Sequence, residues 1–487
     1  MISISQYIRI DRRKSDPLYL QITYQYINAV QGGLLLEGTK LPGTRVWSNE
    51  LGVHRKTVIA AFEELAAQNW MRIQAKVGAF VQNPTVKAQK SQAKAAKSVD
   101  SIQQSGFEFQ RSFLLSSPYE HENHRLICNE GQPDYRILKT QELSRFYSGA
   151  LKRRNIQQHI GNYAVQENDF FKEQLSFYLN LSRGFHIDKS HLLTAKSKET
   201  LFYTLAKTLF KPKDVVLIGE LNLFSMNMVF NQANISLKTV PVDEHGMDIA
   251  YIEKSYNKGE IKGVYLNPSQ GYPTTFPLFN SRKEKLKALA VKYDFVIIED
   301  HEDFDFSHQK SVELPSSIQE AKGRIIHLGT IGKHLHPSFQ MSFIVAFPDF
   351  IAAAKKHVSV LQPQGNYVLE QALGEMISEG DFYRYLKKSM KIYTERLQFF
   401  EDLLRTHLGN EIEYEIPNNG FAFWIIFKQS ISLVALSKEL KKRDVFLPRI
   451  CMYQNHQLTA LRLGFAHWNK EEMEEVVKEL GGMVNKV

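Results

Sequence analysis

The chain has 487 residues, 43% of them hydrophobic and 23% charged, with a formal net charge of +9; this length asks for more than one hydrophobic core, and the composition is that of a folded globular protein. No apolar run reaches the roughly 20 residues that cross a bilayer, and the opening MISISQYIRIDRRKSD lacks the apolar stretch and small-residue cleavage site of a secretory signal. The two cysteines, Cys128 and Cys451, stand far apart and outside any metal-ligand spacing, which excludes a disulfide scaffold and a zinc module and points to packed thiols in a reducing cytoplasm, with no metal expected.

Residues 1–90 carry twelve Lys or Arg against six Asp or Glu, so +6 of the net +9 lies in this first segment, a surplus that favours polyanionic partners. Asp16-Pro17 reads as an N-cap followed by proline at the first helical position, and Tyr19, Ile22, Tyr26 and Val30 recur at helical spacing as far as Gly32-Gly33. After LLLEGTKLPG, Thr44 is placed to cap a short helix Arg45–Leu51 that Gly52 ends, and His54-Arg55-Lys56-Thr57 opens a third helix with Val58, Phe62 and Leu65 as its buried stripe. Two helices joined through LGV make a helix-turn-helix, whose second helix points its N-terminal residues into the major groove. MRIQAKVGAFVQ then places two short alternating runs around Lys76-Val77-Gly78, a hairpin with a basic tip.

The run LEGTKLPGTRVWSNELGVHRKTVIAAFEELAAQNWMRIQAKVGAFV resembles the winged helix-turn-helix of the GntR family of bacterial regulators. The resemblance implies that Arg45, Arg55, Lys56, Thr57 and Gly78 lie at double-stranded DNA, with Arg45 and Lys76 contacting phosphates and Arg55, Lys56 and Thr57 choosing the sequence. Gly43-Thr44 and His54 depart from the family's serines. Residues 1–82 are therefore expected to form the DNA-binding domain, and the polar, lysine-containing stretch 83–119 a linker that cannot bury a core.

From residue 120 to 487, helical patterns alternate with short apolar strands, among them VVLIG (215–219), GVYLNP (263–268), FVIIED (295–300) and RIIHLGT (324–330). This predicts an α/β domain with a mainly parallel sheet and its ligand groups past the strands' carboxyl ends, closed by a small α+β subdomain over about 375–487. The segment HLGTIGKHLHPSFQMSFIVAFP resembles the lysine-bearing segment of fold-type-I aminotransferases as found in the MocR branch of GntR regulators. The resemblance implies a pyridoxal 5'-phosphate site: Lys333 condensing with the aldehyde, Asp300 facing the pyridine nitrogen, Thr330, Ser197 and Tyr163 at the phosphate, and Arg462 gripping a substrate carboxylate.

Several positions depart from that pattern. Gln340 stands where an arginine meets the phosphate, Glu302 where a tyrosine meets the ring oxygen, and SQGYPTT, with Gly271 and Thr275, replaces an HQ-P-TG turn. A ring-stacking aromatic is expected near Leu223 or Phe224, and Lys196 and Lys198 stand where they could offset the missing phosphate arginine. The sequence thus predicts a homodimeric regulator whose body senses pyridoxal phosphate or an amino-compound adduct. An active transaminase and a regulator with a vestigial cofactor site are the alternatives, and the losses at Gln340 and Glu302 weigh against turnover.

Overall fold

The computed structural model describes residues 4, 8, 10, 12, 17–31, 35–67, 70–74, 77–82, 119, 120, 122–138, 140–153, 168–309, 313–363, 365–455 and 458–484. Two units separate: residues 1–121 with 453–459, and residues 122–452 with 460–487.

In the first unit α1 (Leu18–Gln31), α2 (Thr44–Leu51) and α3 (Arg55–Ala67) pack beside a small antiparallel sheet of β1 (Lys40–Leu41), β2 (Met71–Gln74) and β3 (Gly78–Val81), ordered β1-β3-β2. The helical spacing works as expected. Ile22, Tyr26 and Val30 of α1 and Val58, Phe62 and Leu65 of α3 are buried around a fully enclosed Trp47, whose ring meets Phe62 edge-on at 5.1 Å between centroids. One cap differs from expectation. Thr44 is the first residue inside α2, and Gly43 holds the cap position without a side-chain bond. The Thr44 hydroxyl instead accepts from Nε of Arg55 at 3.2 Å, because the turn brings the two helix starts together. Gly52 ends α2 in the left-handed conformation, as predicted. Asp16 lies outside the described residues.

In the second unit β4 (Leu126–Ile127) pairs with Val445–Phe446, and a short hairpin joins β8 (Val242–Asp243) to β9 (Gly246–Met247). The centre is a seven-stranded sheet of β5 (Leu192–Ala195), β6 (Val215–Gly219), β7 (Ser236–Val240), β10 (Gly263–Leu266), β11 (Val296–Asp300), β12 (Ile325–Ile331) and β13 (Met341–Val345). Its order is β5-β13-β12-β11-β10-β6-β7. β12, β11, β10, β6 and β7 run parallel, and β13 is antiparallel to both of its neighbours. Burial on both faces explains why these strands read as largely apolar runs without a polar alternation. Toward the C-terminus, strands Ile412–Tyr414, Ala422–Phe427 and Thr459–Gly464 form antiparallel neighbours, and the long helix Asp381–Leu408 packs against the helix Lys470–Val484.

This topology sets out the chemistry. Asp300 ends β11, Lys333 follows β12, and Ser197 caps the helix Lys198–Leu209 directly after β5. Strand alternation puts Asp300 on one face of the sheet and Glu299 and His301 on the other.

Candidate functional sites

The first candidate is the tip of the helix-turn-helix. Arg45, Arg55 and Lys56 are exposed and Thr57 is half-buried, so the start of α3 presents two cations and a hydroxyl while Val58, one residue on, is sealed in the core. His54, where the family carries serine, accepts the backbone N–H of Lys56 on Nδ1 at 3.2 Å and so satisfies one of the helix's free amides in the serine's place. In the wing, Gly78 has φ +135°, and a Cβ there would meet the Lys40 side chain at 3.1 Å. Glycine therefore lets β3 start against β1. Lys76 lies outside the described residues. Arg72 was not foreseen: it stands on the exposed side of β2, its guanidinium 5.8 Å from the Phe80 ring.

The second candidate is the cradle at the carboxyl ends of the central strands. Asp300 is 2% exposed. Its Oδ2 accepts from the Tyr265 hydroxyl at 2.7 Å and from the Lys198 ammonium at 3.1 Å, while Oδ1 accepts the backbone N–H of Glu302 at 3.1 Å. The same ammonium donates to Glu302. Lys333 donates to Asp303 at 2.6 Å and to Glu302 at 3.3 Å. Two ammonium groups and three carboxylates thus form one connected network.

Its electrostatics favour the charged forms of Lys198, Lys333 and Glu302. Burial pushes the Lys198 pKa down, but Asp300 and Glu302 beside it raise it well above the usual lysine value. Burial likewise opposes the charge on Lys333, and Asp303 and Glu302 overcome it, raising its pKa. Burial disfavours the Glu302 carboxylate, and the two ammonium groups pull its pKa far below the ordinary range.

The expected phosphate end is also occupied by internal bonds. The Ser197 hydroxyl accepts the N–H of Thr200 at 3.4 Å as an N-cap and donates to the Glu199 carboxylate at 2.6 Å. Thr330 shares a hydrogen bond with Ser342 across the β12–β13 pair at 3.1 Å, and Gln340 reaches the Tyr135 hydroxyl at 3.5 Å. Lys196 donates to the carbonyl of Ser338 at 2.8 Å and sits 3.4 Å from those of Pro337 and Gln340. Lys196 and Lys198, expected to replace the missing phosphate arginine together, therefore part ways: Lys198 turns to Asp300, and Lys196 ties down the segment that carries Gln340. Leu223 caps the helix Phe224–Gln232, and Phe224 is buried at its first position. Tyr163 lies outside the described residues.

Arg462 is 4% exposed. It donates through Nε to the Glu130 carbonyl at 3.0 Å and through Nη1 to the Pro273 carbonyl at 2.7 Å, and it stacks over the Tyr272 ring. Two donors of the expected carboxylate grip thus clamp main chain. Thr275, where the turn pattern has glycine, keeps a left-handed φ of +64°, a conformation that costs a non-glycine residue about 1 kcal/mol.

Pyridoxal phosphate requires a neutral lysine amine, an aspartate free to meet its ring nitrogen and a cationic seat for its phosphate. In this chain Lys333 is held as an ammonium, Asp300 already has a cation, and a carboxylate stands beside Ser197. The fold is one that holds the cofactor, and the charges in this cradle do not fit it.

Gly332 positions Lys333. It has φ +78°, and a Cβ there would run into the carbonyl of Phe339. Gly332→Ala is expected to lower the stability of the body by about 2 kcal/mol or more, read as a shift of the urea midpoint; a wild-type midpoint would show that the turn relaxes freely.

Sequence reasoning missed Lys198 as the partner of Asp300, Tyr265 as its second donor and Asp303 as the partner of Lys333. Only the last left a trace, as one of the clustered acids in EDHEDFD. It also missed a buried group on the opposite face: Glu299 and His327 are cross-strand neighbours, and His301 is two residues past Glu299. The Glu299 carboxylate accepts from Ser316 at 2.7 Å and lies 3.2 Å from Nε2 of His301.

Residues 130–480 match the aminotransferase class I and II family. Over nearly the whole chain there is similarity to the probable rhizopine catabolism regulatory protein MocR of Rhizobium meliloti, 23% identical over 481 residues, covering 97% of this chain and 94% of that protein. The uncharacterized HTH-type transcriptional regulator YjiR of Escherichia coli is 22% identical over 465 residues, covering 93% of this chain and 96% of its own length. The kynurenine aminotransferase of Pyrococcus horikoshii superposes on 74% of this chain and 91% of its own, with a TM-score of 0.66 at 18% identity. With 351 matched residues ordered around a mainly parallel sheet that carries Lys333 and Asp300 past its carboxyl edge, the chain belongs to the aminotransferase class I and II family, in the architecture it shares with MocR and the HTH-type regulators.

Proposed function

We propose that the chain is a cytoplasmic, homodimeric transcriptional regulator in which the winged helix-turn-helix reads a double-stranded operator and the aminotransferase-type body joins two copies and carries the regulatory signal. The observation behind this reading is the start of α3, where Arg55 and Lys56 are presented to solvent, with the half-buried Thr57 and the exposed Arg45 beside them, on a sealed core. The full-length likeness to regulators supports it. Two half-sites read by two copies would give the operator its symmetry.

A ligand can switch such a protein only through different affinities for its DNA-competent and incompetent arrangements, so no turnover is needed. Family ancestry favours pyridoxal phosphate or an amino-compound adduct as that ligand. The closed network around Lys198 favours the second reading, a body that regulates without the cofactor. Transaminase activity has the least support, since the lysine that must act as an amine is held as an ammonium.

Double-stranded fragments selected by the wild-type protein from a random pool test the DNA half. Arg55→Ala is expected to weaken binding by roughly tenfold to a hundredfold and to broaden the selected sequence. Arg45→Ala should weaken all fragments alike and reduce the salt dependence by about one counterion. Wild-type affinity in both variants would refute the reading.

A further inference from the structure

We propose that Lys198 is the resident cation of Asp300, standing where a pyridinium would stand, and that the native cradle therefore excludes pyridoxal phosphate. This deepens the body half of the reading above and is independent of the DNA half.

The placement follows from the fold. Lys198 is the first residue of the helix after β5, and its side chain, 9% exposed, runs back to the end of β11. There its ammonium meets the Asp300 oxygen that also accepts from Tyr265. A cofactor ring nitrogen would have to displace this ammonium, and no other buried acceptor in the network is left for it, because Glu302 and Asp303 also hold Lys333. Parting a buried ion pair leaves an uncompensated charge, a penalty large enough to lower the affinity of any competitor by about a hundredfold or more.

Two departures from the family pattern explain each other. Simple loss of a cofactor would leave Asp300 bare and the ring tyrosine's place vacant or apolar. Here the tyrosine's place holds Glu302, and Glu302 touches Lys198. The two residues supply each other with a partner, so the cradle is rebuilt as a closed charge network. The phosphate end agrees: the Ser197 hydroxyl is bonded to Glu199, which would repel a dianion. The nucleophile's place agrees as well, since Lys333 is bound by Asp303 at 2.6 Å.

The test is attachment at Lys333. Full-length protein is incubated with pyridoxal phosphate from micromolar to millimolar concentration, reduced with borohydride and digested, and the Lys333 peptide is weighed by mass spectrometry. Wild type and Lys198→Arg, which keeps the cation, are expected to show no attachment beyond that of exposed lysines. Lys198→Met should reach half-modification at a concentration at least about tenfold lower than wild type. Because that change leaves Asp300, Glu302 and Asp303 with Lys333 as their one cation, the double variant Lys198→Met with Glu302→Tyr removes the surplus charge and should show the same gain if the single variant fails to fold. Attachment in the wild type at the concentration that suffices for the Lys198→Met variants overturns the proposal, and so does the absence of any gain in the folded double variant. DNA binding measured on the same samples separates the outcomes: loss of operator binding would sink the regulator reading and leave the Lys333 result standing.

Discussion

Trp47→Ala is expected to unfold the N-terminal unit and abolish DNA binding while the body melts at its wild-type temperature. Trp47 has no solvent exposure and fills the space between Tyr26 of α1 and Phe62 of α3. Truncating a buried tryptophan to alanine costs about 3–5 kcal/mol. A domain of this size holds a net stability toward the lower end of roughly 5–15 kcal/mol, so one such loss consumes most of it. Scanning calorimetry of the full chain, followed by limited proteolysis, would read the loss of the N-terminal transition alone. An intact transition, with operator binding retained, would show that α1 and α3 close over the cavity. The contrast with Arg55→Ala is informative, because that side chain is exposed and its removal should weaken and broaden operator recognition without moving either transition.

The body should lose stability steeply as pH falls below about 6.5, the ordinary histidine value. His301, His327 and His334 are at most 1% exposed. Burial lowers the His301 pKa, with Glu299 opposing it in part. Burial pushes His327 down to about 3 against the pull of Glu299 and His334 down to about 4 against Asp305. These are depressed folded-state values, so the unfolded chain takes up protons first as pH falls through 6.5, and stability declines until the folded values are reached. His327 and His334, whose folded values lie below about 5, approach a slope of about 1.4 kcal/mol per pH unit each in that window and together remove roughly 3 kcal/mol between pH 6.5 and 5, with His301 adding to the loss in the same direction, a large part of the roughly 5–15 kcal/mol that holds a domain folded. Glu299, first disfavoured by burial and then held near 2 by His301 and His327, adds its loss only below about pH 4.5. Urea midpoints from pH 7.5 to 4.5 would show the slope. A flat profile down to pH 5 would mean that these histidines are charged in the folded protein.

Much of this molecule was legible in the chain. Helical spacing placed α1 and α3, Gly52 placed the end of α2, and four apolar runs marked strands of the central sheet, because local periodicity and backbone preference act within a few residues. The lysine and the aspartate were found by their surrounding segments. What these groups do depended on partners far away in sequence. Thr44 looks like a cap until the turn brings Arg55 to its hydroxyl. Arg462 suits a carboxylate grip until Glu130 and Pro273 present their carbonyls.

The sequence by itself carried the contrast between a basic helical segment and an α/β body, the cations at the start of α3, and the strand ends where polar residues gather. Only the tertiary structure decided the state of the cradle. Lys198 and Asp300 are 102 residues apart, and Lys333 and Asp303 are 30 apart; nothing in spacing or composition relates them. Whether an ammonium is a solvated surface charge or the counterion of a buried carboxylate depends on what lies within about 4 Å of it in a low-dielectric interior, and that neighbourhood exists only once the helix after β5 and the ends of β11 and β12 have come together.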